Sequence, residues 1–116
     1  MNKQMTLFAF KDDPLCFMHV LLNALDLDEK GLGGRIVFEG EATKLIPLMA
    51  DAKHFLHPLY GKVKEKGLID AVCKACSVKM GVLEAVEKEG LPVAGDMSGH
   101  PAMSRYISAG QGVIVM

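Results

Sequence analysis

Apolar and polar positions in this chain come in blocks whose period switches repeatedly between that of a strand and that of a helix. Met5 to Phe10 (MTLFAF) is a continuous apolar run and predicts a first strand. The KDDP that follows predicts a helix start, with Asp13 as N-cap and Pro14 in the first helical position. Leu15, Met18, Leu21, Leu22 and Leu25 then recur at helical spacing until the pattern fades between Asp28 and Gly31. RIVFEG, opened by Gly34, predicts a second strand. In EATKLIPLMAD, positions 41–51, Ala42, Leu45, Ile46 and Met49 share a helical face that Pro47 should kink or shorten. A further helical stretch carries Phe55, Leu59, Tyr60 and Val63 and stops at Gly67.

The second half repeats the alternation. Leu68 to Val72 (LIDAV) predicts a third strand, and the helix after it carries Val78, Val82, Ala85 and Val86 before closing at Gly90. LPVAG predicts strand four, SGHP at 98–101 starts a last helix through Ile107, and GVIVM is strand five. Strands joined by helical crossovers imply an α/β fold. The expectation is a single domain over 1–116, a three-layer open parallel sheet of about five strands with helices on both faces.

Composition removes several function classes. Half of the 116 residues are hydrophobic and 23% are charged, which excludes a disordered chain. A formal net charge of −1 gives no electrostatic reason to expect nucleic acid or an anionic membrane as partner. No apolar run has the length of a membrane span, and MNKQMTLFAFKDD lacks the cleavage pattern of a signal peptide. The cytoplasm is therefore the expected address. Eight methionines in so small and apolar a chain point to surface covered by another copy, a homo-oligomer. Three cysteines, Cys16, Cys73 and Cys76, do not suit a disulfide-stapled scaffold, and C-x-x-C in a reducing compartment more often binds metal or reacts.

Ligands of open parallel sheets collect beyond the carboxyl ends of the strands. That rule puts Asp12, Glu39, Gly40, Cys73, Cys76, Met97 and His100 on one rim. Cys73 stands where a strand ends and a helix begins, a position that favours the thiolate, the nucleophilic form. Cys76 lies one helical turn further on the same side, as an auxiliary thiol that resolves an oxidised Cys73 or as a packing residue. His100 is the histidine best placed to bind an anion or move a proton beside them. Asp12, Glu39, Gly40 and Met97 are the remaining candidates for binding a substrate or ligand, although a turn accounts for Asp12 and capping for Asp13. A structural metal site needs four ligands, for which Cys16 and His100 offer themselves to the C-x-x-C through the fold, but nothing in the sequence forces them together, so a metal site is the weakest reading and no metal ligand is assigned. Gly31, Gly33 and Gly34 precede a strand and so fail as a phosphate loop; no cofactor is expected.

AVCKACSVKMG, at 71–81 in this order of elements, resembles the DsrE-like family of small sulfur-relay proteins, with MTLFAF, FEGEATKL and GVIVM as supporting echoes. Cys73 takes the family's cysteine position and Gly81 its glycine, while Met80 stands where many relatives carry a basic residue. The resemblance implies a flavodoxin-like sheet, assembly as trimers or hexamers, and a persulfide on Cys73 exchanged with sulfur donor and acceptor proteins. The competing reading is a non-enzymatic ligand-binding or assembly module of the same fold, with incidental cysteines; a C-x-x-C redox or zinc site is the weaker third.

Overall fold

A computed structural model describes residues 3–116. Strand β1, Met5–Ala9, leads through a short turn into helix α1, Pro14–Glu29. The predicted cap forms. Asp13 Oδ1 accepts from the backbone N–H groups of Leu15 at 2.9 Å and Cys16 at 3.3 Å, and Pro14 opens the helix. The buried stripe of α1 is Phe17, Val20, Leu21 and Ala24, whereas Leu15 and Leu22 are exposed. The helix is apolar on most of its circumference, so periodicity alone left the inward direction open by about one residue.

Strand β2, Gly33–Phe38, is followed by a 3-10 turn at Gly40–Lys44 and helix α2, Leu45–Met49. The Pro47 pattern is thus shortened to little more than one turn, as its missing N–H requires. Helix α3, His57–Glu65, has its proline in the first turn and ends before β3, Ile69–Cys73. The helix predicted after the cysteines is two helices, α4 at Lys74–Lys79 and α5 at Leu83–Lys88. Gly81 between them has φ +72°, a left-handed conformation that ends an α-helix. Strand β4 is only Val93–Ala94. The last helix, α6, begins at Met103 and runs to Ser108, later than SGHP predicts, and β5 is Gly112–Val115.

All five strands are parallel, in the order β4-β3-β2-β1-β5. The first three crossovers step in one direction and the last steps back, so right-handed connections put α6 alone on the opposite face. The packing agrees. Leu7, Ile36, Phe38 and Val72 join α1, α2, α3 and α5 in the larger core, while Phe8, Val37 and Ala71 meet Tyr106 and Met103 of α6. No helix among the described residues is long and apolar enough to cross a membrane.

Asp70 is an extra residue in β3, because Ile36 pairs with Ile69 and the next residue, Val37, pairs with Ala71. Its carboxylate accepts from the Tyr106 hydroxyl at 2.6 Å and from Arg35 at 3.0 Å, tying α6 to the sheet. Tyr106→Phe removes one charge-assisted bond from a largely buried carboxylate and should cost about 1.5–3 kcal/mol in urea denaturation.

Candidate functional site

Two strand ends, the first turn of a helix and one loop build the site. Glu39 and Gly40 follow β2, Cys73 ends β3, and Cys76 lies in the first turn of α4. The loop 95–102 after β4 folds back over them. Its Gly99 carbonyl accepts the Ala75 N–H at 2.8 Å, and Met97 and His100 bond each other's backbone at 2.7 and 2.9 Å. A Cβ on Gly99 would lie 3.0 Å from that of Ala75, so the loop seats closely on α4 only with glycine there. This seating carries the imidazole of His100 onto the thiols.

The resulting contacts are short. His100 Nδ1 lies 3.0 Å from Cys73 Sγ, 3.6 Å from Cys76 Sγ and 3.8 Å from Glu39 Oε1. Donor atoms of Glu39, Cys73, Cys76 and His100 all fall within 4.8 Å of one another. The Cys76 N–H donates to Cys73 Sγ at 3.4 Å, and Ser77 Oγ donates to the Cys73 carbonyl at 2.7 Å. A cavity of about 460 Å³ opens beside the cluster, with Glu39, Cys76 and His100 at its polar end and Phe10, Met97 and Met103 along its apolar wall.

The two thiols differ in environment. Cys73 is fully buried, and Cys76 reaches the cavity wall. Burial pushes the Cys73 thiol far above the ordinary range, and Cys76 and Glu39 add to the effect against the opposing Cys76 N–H. An accessible, partly ionised thiol was expected at Cys73. The structure places Cys73 instead fully buried beneath the rim, where desolvation outweighs the one N–H that the helix end supplies and raises the thiol's pKa. Glu39 is likewise raised by burial, with Cys73 and His100 pulling the other way.

Of the rim residues expected from sequence, Glu39, Gly40, Cys76, Met97 and His100 line the cavity, with Cys73 directly behind them. Asp12 is not brought there. It pairs with Lys44 at 3.0 Å, which holds its carboxyl below the usual range. Cys16, weighed above as a metal ligand with His100, lies at a separate cavity of about 150 Å³ beside Phe17 and Met116. The fourth member of the cluster is Glu39, a side chain whose link to the cysteines had no sequence signal beyond its place after a strand.

No family model matches the chain. A conserved protein of unknown function, BT1422 from Bacteroides thetaiotaomicron, has a similar fold, with a TM-score of 0.73 over 98% of this chain and 95% of that one at 16% identity. An uncharacterized protein of Archaeoglobus fulgidus is 40% identical over 48 residues, 41% of this chain and 77% of the relative. Uncharacterized protein MJ0733 of Methanocaldococcus jannaschii is 34% identical over 97 residues, 84% of this chain and 77% of its own length. With an identity and coverage of that order, the chain belongs to the family of MJ0733.

Proposed function

We propose that this protein is a DsrE-like sulfur carrier of the reducing cytoplasm, working as a homo-oligomer between sulfur donor and acceptor proteins. The observation that carries the reading is the meeting of two thiols at one imidazole nitrogen, 3.0 and 3.6 Å away, beside an open cavity. The resemblance of AVCKACSVKMG to the DsrE-like motif supports it independently.

Exposure orders the two sulfurs. Cys76 meets the incoming donor, a persulfide R–S–SH. Its thiol proton passes to His100 Nδ1 and its sulfur attacks the donor's outer sulfur. The donor's S–S bond breaks, R–S⁻ leaves and takes up a proton, and the sulfane sulfur stays on Cys76 as a persulfide. Cys73 beneath is the second acceptor: its thiol proton passes to His100 Nδ1, its sulfur attacks that outer sulfur, the Cys76 S–S bond breaks, and the leaving Cys76 sulfur takes up the proton from the imidazole. Buried on Cys73, the sulfane sulfur is shielded from bulk thiols until an acceptor docks.

Intact-mass measurement after incubation with a persulfide donor tests this. Wild type gains the mass of one sulfur, Cys76→Ser gains none, and Cys73→Ser gains it but loses it faster to added thiol. Absence of sulfur on wild type, or uptake that survives Cys73→Ser/Cys76→Ser together, overturns the reading. Uptake lost only in Cys73→Ser reverses the order of the two thiols.

A further inference from the structure

The carrier reading uses the two thiols and the imidazole, and leaves a buried carboxylate beside them without a task. Glu39 is only 7% exposed, yet its oxygen faces His100 Nδ1 at 3.8 Å and shares one small volume with both sulfurs. Four donor atoms from four separate side chains converge there, delivered by the ends of β2 and β3, the first turn of α4 and the 95–102 loop. We infer that Glu39, Cys73, Cys76 and His100 form a four-coordinate site for a zinc-class divalent cation.

The spacing fits such an ion. Bonds of about 2.3 Å to sulfur and about 2.0–2.2 Å to nitrogen and oxygen put the ligand atoms of a tetrahedron roughly 3.4–3.8 Å apart. The Cys76–Nδ1 contact, at 3.6 Å, matches a sulfur–nitrogen edge, and the Glu39–Nδ1 contact, at 3.8 Å, has to close by a few tenths of an ångström to make a nitrogen–oxygen edge. That of Cys73, at 3.0 Å, needs to open by about half an ångström, and pairs toward the 4.8 Å limit of the cluster need to close by up to about one. The supports are also in place. The Ser77 hydroxyl holds the Cys73 carbonyl, the Cys76 N–H points at Cys73 Sγ, and the Ala75–Gly99 bond fixes the loop that carries His100.

The donor set selects the ion. Two thiolates with an imidazole disfavour magnesium and calcium, which take oxygen ligands, and suit zinc and its neighbours. Coordination displaces a proton from each thiol to solvent and involves no change of oxidation state. Two thiolates and a carboxylate around a divalent cation leave the cluster one negative charge. The cation and the sulfane sulfur need the same two sulfurs, so metal-filled and sulfur-loaded protein are alternative states of one site.

Cobalt(II) titration of the reduced, chelator-stripped full chain tests this. Expected are one cobalt per chain, tetrahedral d–d bands with thiolate-to-cobalt charge transfer, and displacement by equimolar zinc. Cys73→Ser, Cys76→Ser and His100→Ala each weaken zinc binding about a hundredfold or more, and the isosteric Glu39→Gln about tenfold or more. Cys16→Ser leaves it unchanged. Far-UV circular dichroism of each variant establishes folding, and Glu39→Gln, which keeps the side-chain shape, decides where a cysteine variant unfolds. Cobalt spectra without charge transfer, or Glu39→Gln and His100→Ala variants that bind as wild type does, overturn the site. Sulfur uptake by a protein that binds no cobalt overturns it too and leaves the carrier reading standing; the reverse result sinks the carrier reading alone.

Discussion

Iodoacetamide modifies Cys16 and Cys76 of the reduced, metal-free protein about a hundredfold or more faster than Cys73 near neutral pH. Cys16 is exposed and Cys76 borders the cavity, whereas Cys73 is fully buried with its thiol pushed far up by desolvation. Each unit by which a thiol's pKa rises removes a factor of ten in thiolate at fixed pH, and burial removes access as well. Peptide mapping of a labelling time course reads the three rates separately. Comparable rates at Cys73 and Cys76 would show that the loop 95–102 does not hold its place over the cluster. The same shift acts on stability. The folded chain binds the Cys73 proton more tightly than the unfolded chain does. Its contribution is therefore complete below the ordinary thiol value of 9.0 and is lost as pH rises above it. A fall in urea midpoint above that pH, smaller in Cys73→Ser, is the matching observation.

Gly34→Ala should destabilise the protein by about 4 kcal/mol or more, a large share of what a domain of this size has. Gly34 has φ +89°, and a Cβ there would lie 2.2 Å from the Ala24 carbonyl oxygen and 3.1 Å from the Asp28 nitrogen. Both atoms belong to the backbone of α1, so the clash cannot be relieved by a side-chain rotation. Either the helix moves off the sheet, or β2 gives up the irregularity between its pairings Met5–Gly33 and Thr6–Arg35. Gly31→Ala is the control. Gly31 also has a positive φ, +71°, but nothing lies within 4 Å of its added methyl, so only the backbone term of about 1 kcal/mol applies. Urea unfolding of the two variants separates conformational strain from helix–sheet contact. Equal costs would mean that α1 lies further from β2 than the structure places it.

Much of the architecture was legible because it rests on local patterns. MTLFAF, RIVFEG and LIDAV are apolar runs of strand length, and all three became neighbouring strands. The Asp13–Pro14 pair marked the start of α1 to the residue, since capping depends on chemistry within one turn. Local signals misjudged what depends on neighbours. The helix after the cysteines looked continuous through Gly81, and SGHP looked like a helix start because a proline followed a polar segment. In the structure that segment is a tight loop with Ser98 at φ +50°, held by the Met97–His100 pairing and by Gly99 on Ala75. Nothing in four consecutive residues announces such a docking.

The candidate site divides along the same line. The carboxyl-end rule identified its rim, since the order of elements decides which turns share an edge, and six of the seven rim residues lie at the cavity or directly behind it. Asp12 obeyed the same rule and still turned away, because Lys44, on the neighbouring turn, offers it a partner. The residues alone were enough for the parallel sheet and for the set of side chains able to meet at its edge, because hydrophobic period is a local property and helical crossovers between successive strands make them parallel. That Cys73 lies under Cys76, and that Glu39 and His100 close on both, arises only in the folded chain. Desolvation and donor-to-donor distance are properties of segments distant in sequence, and they exist only once the chain has folded.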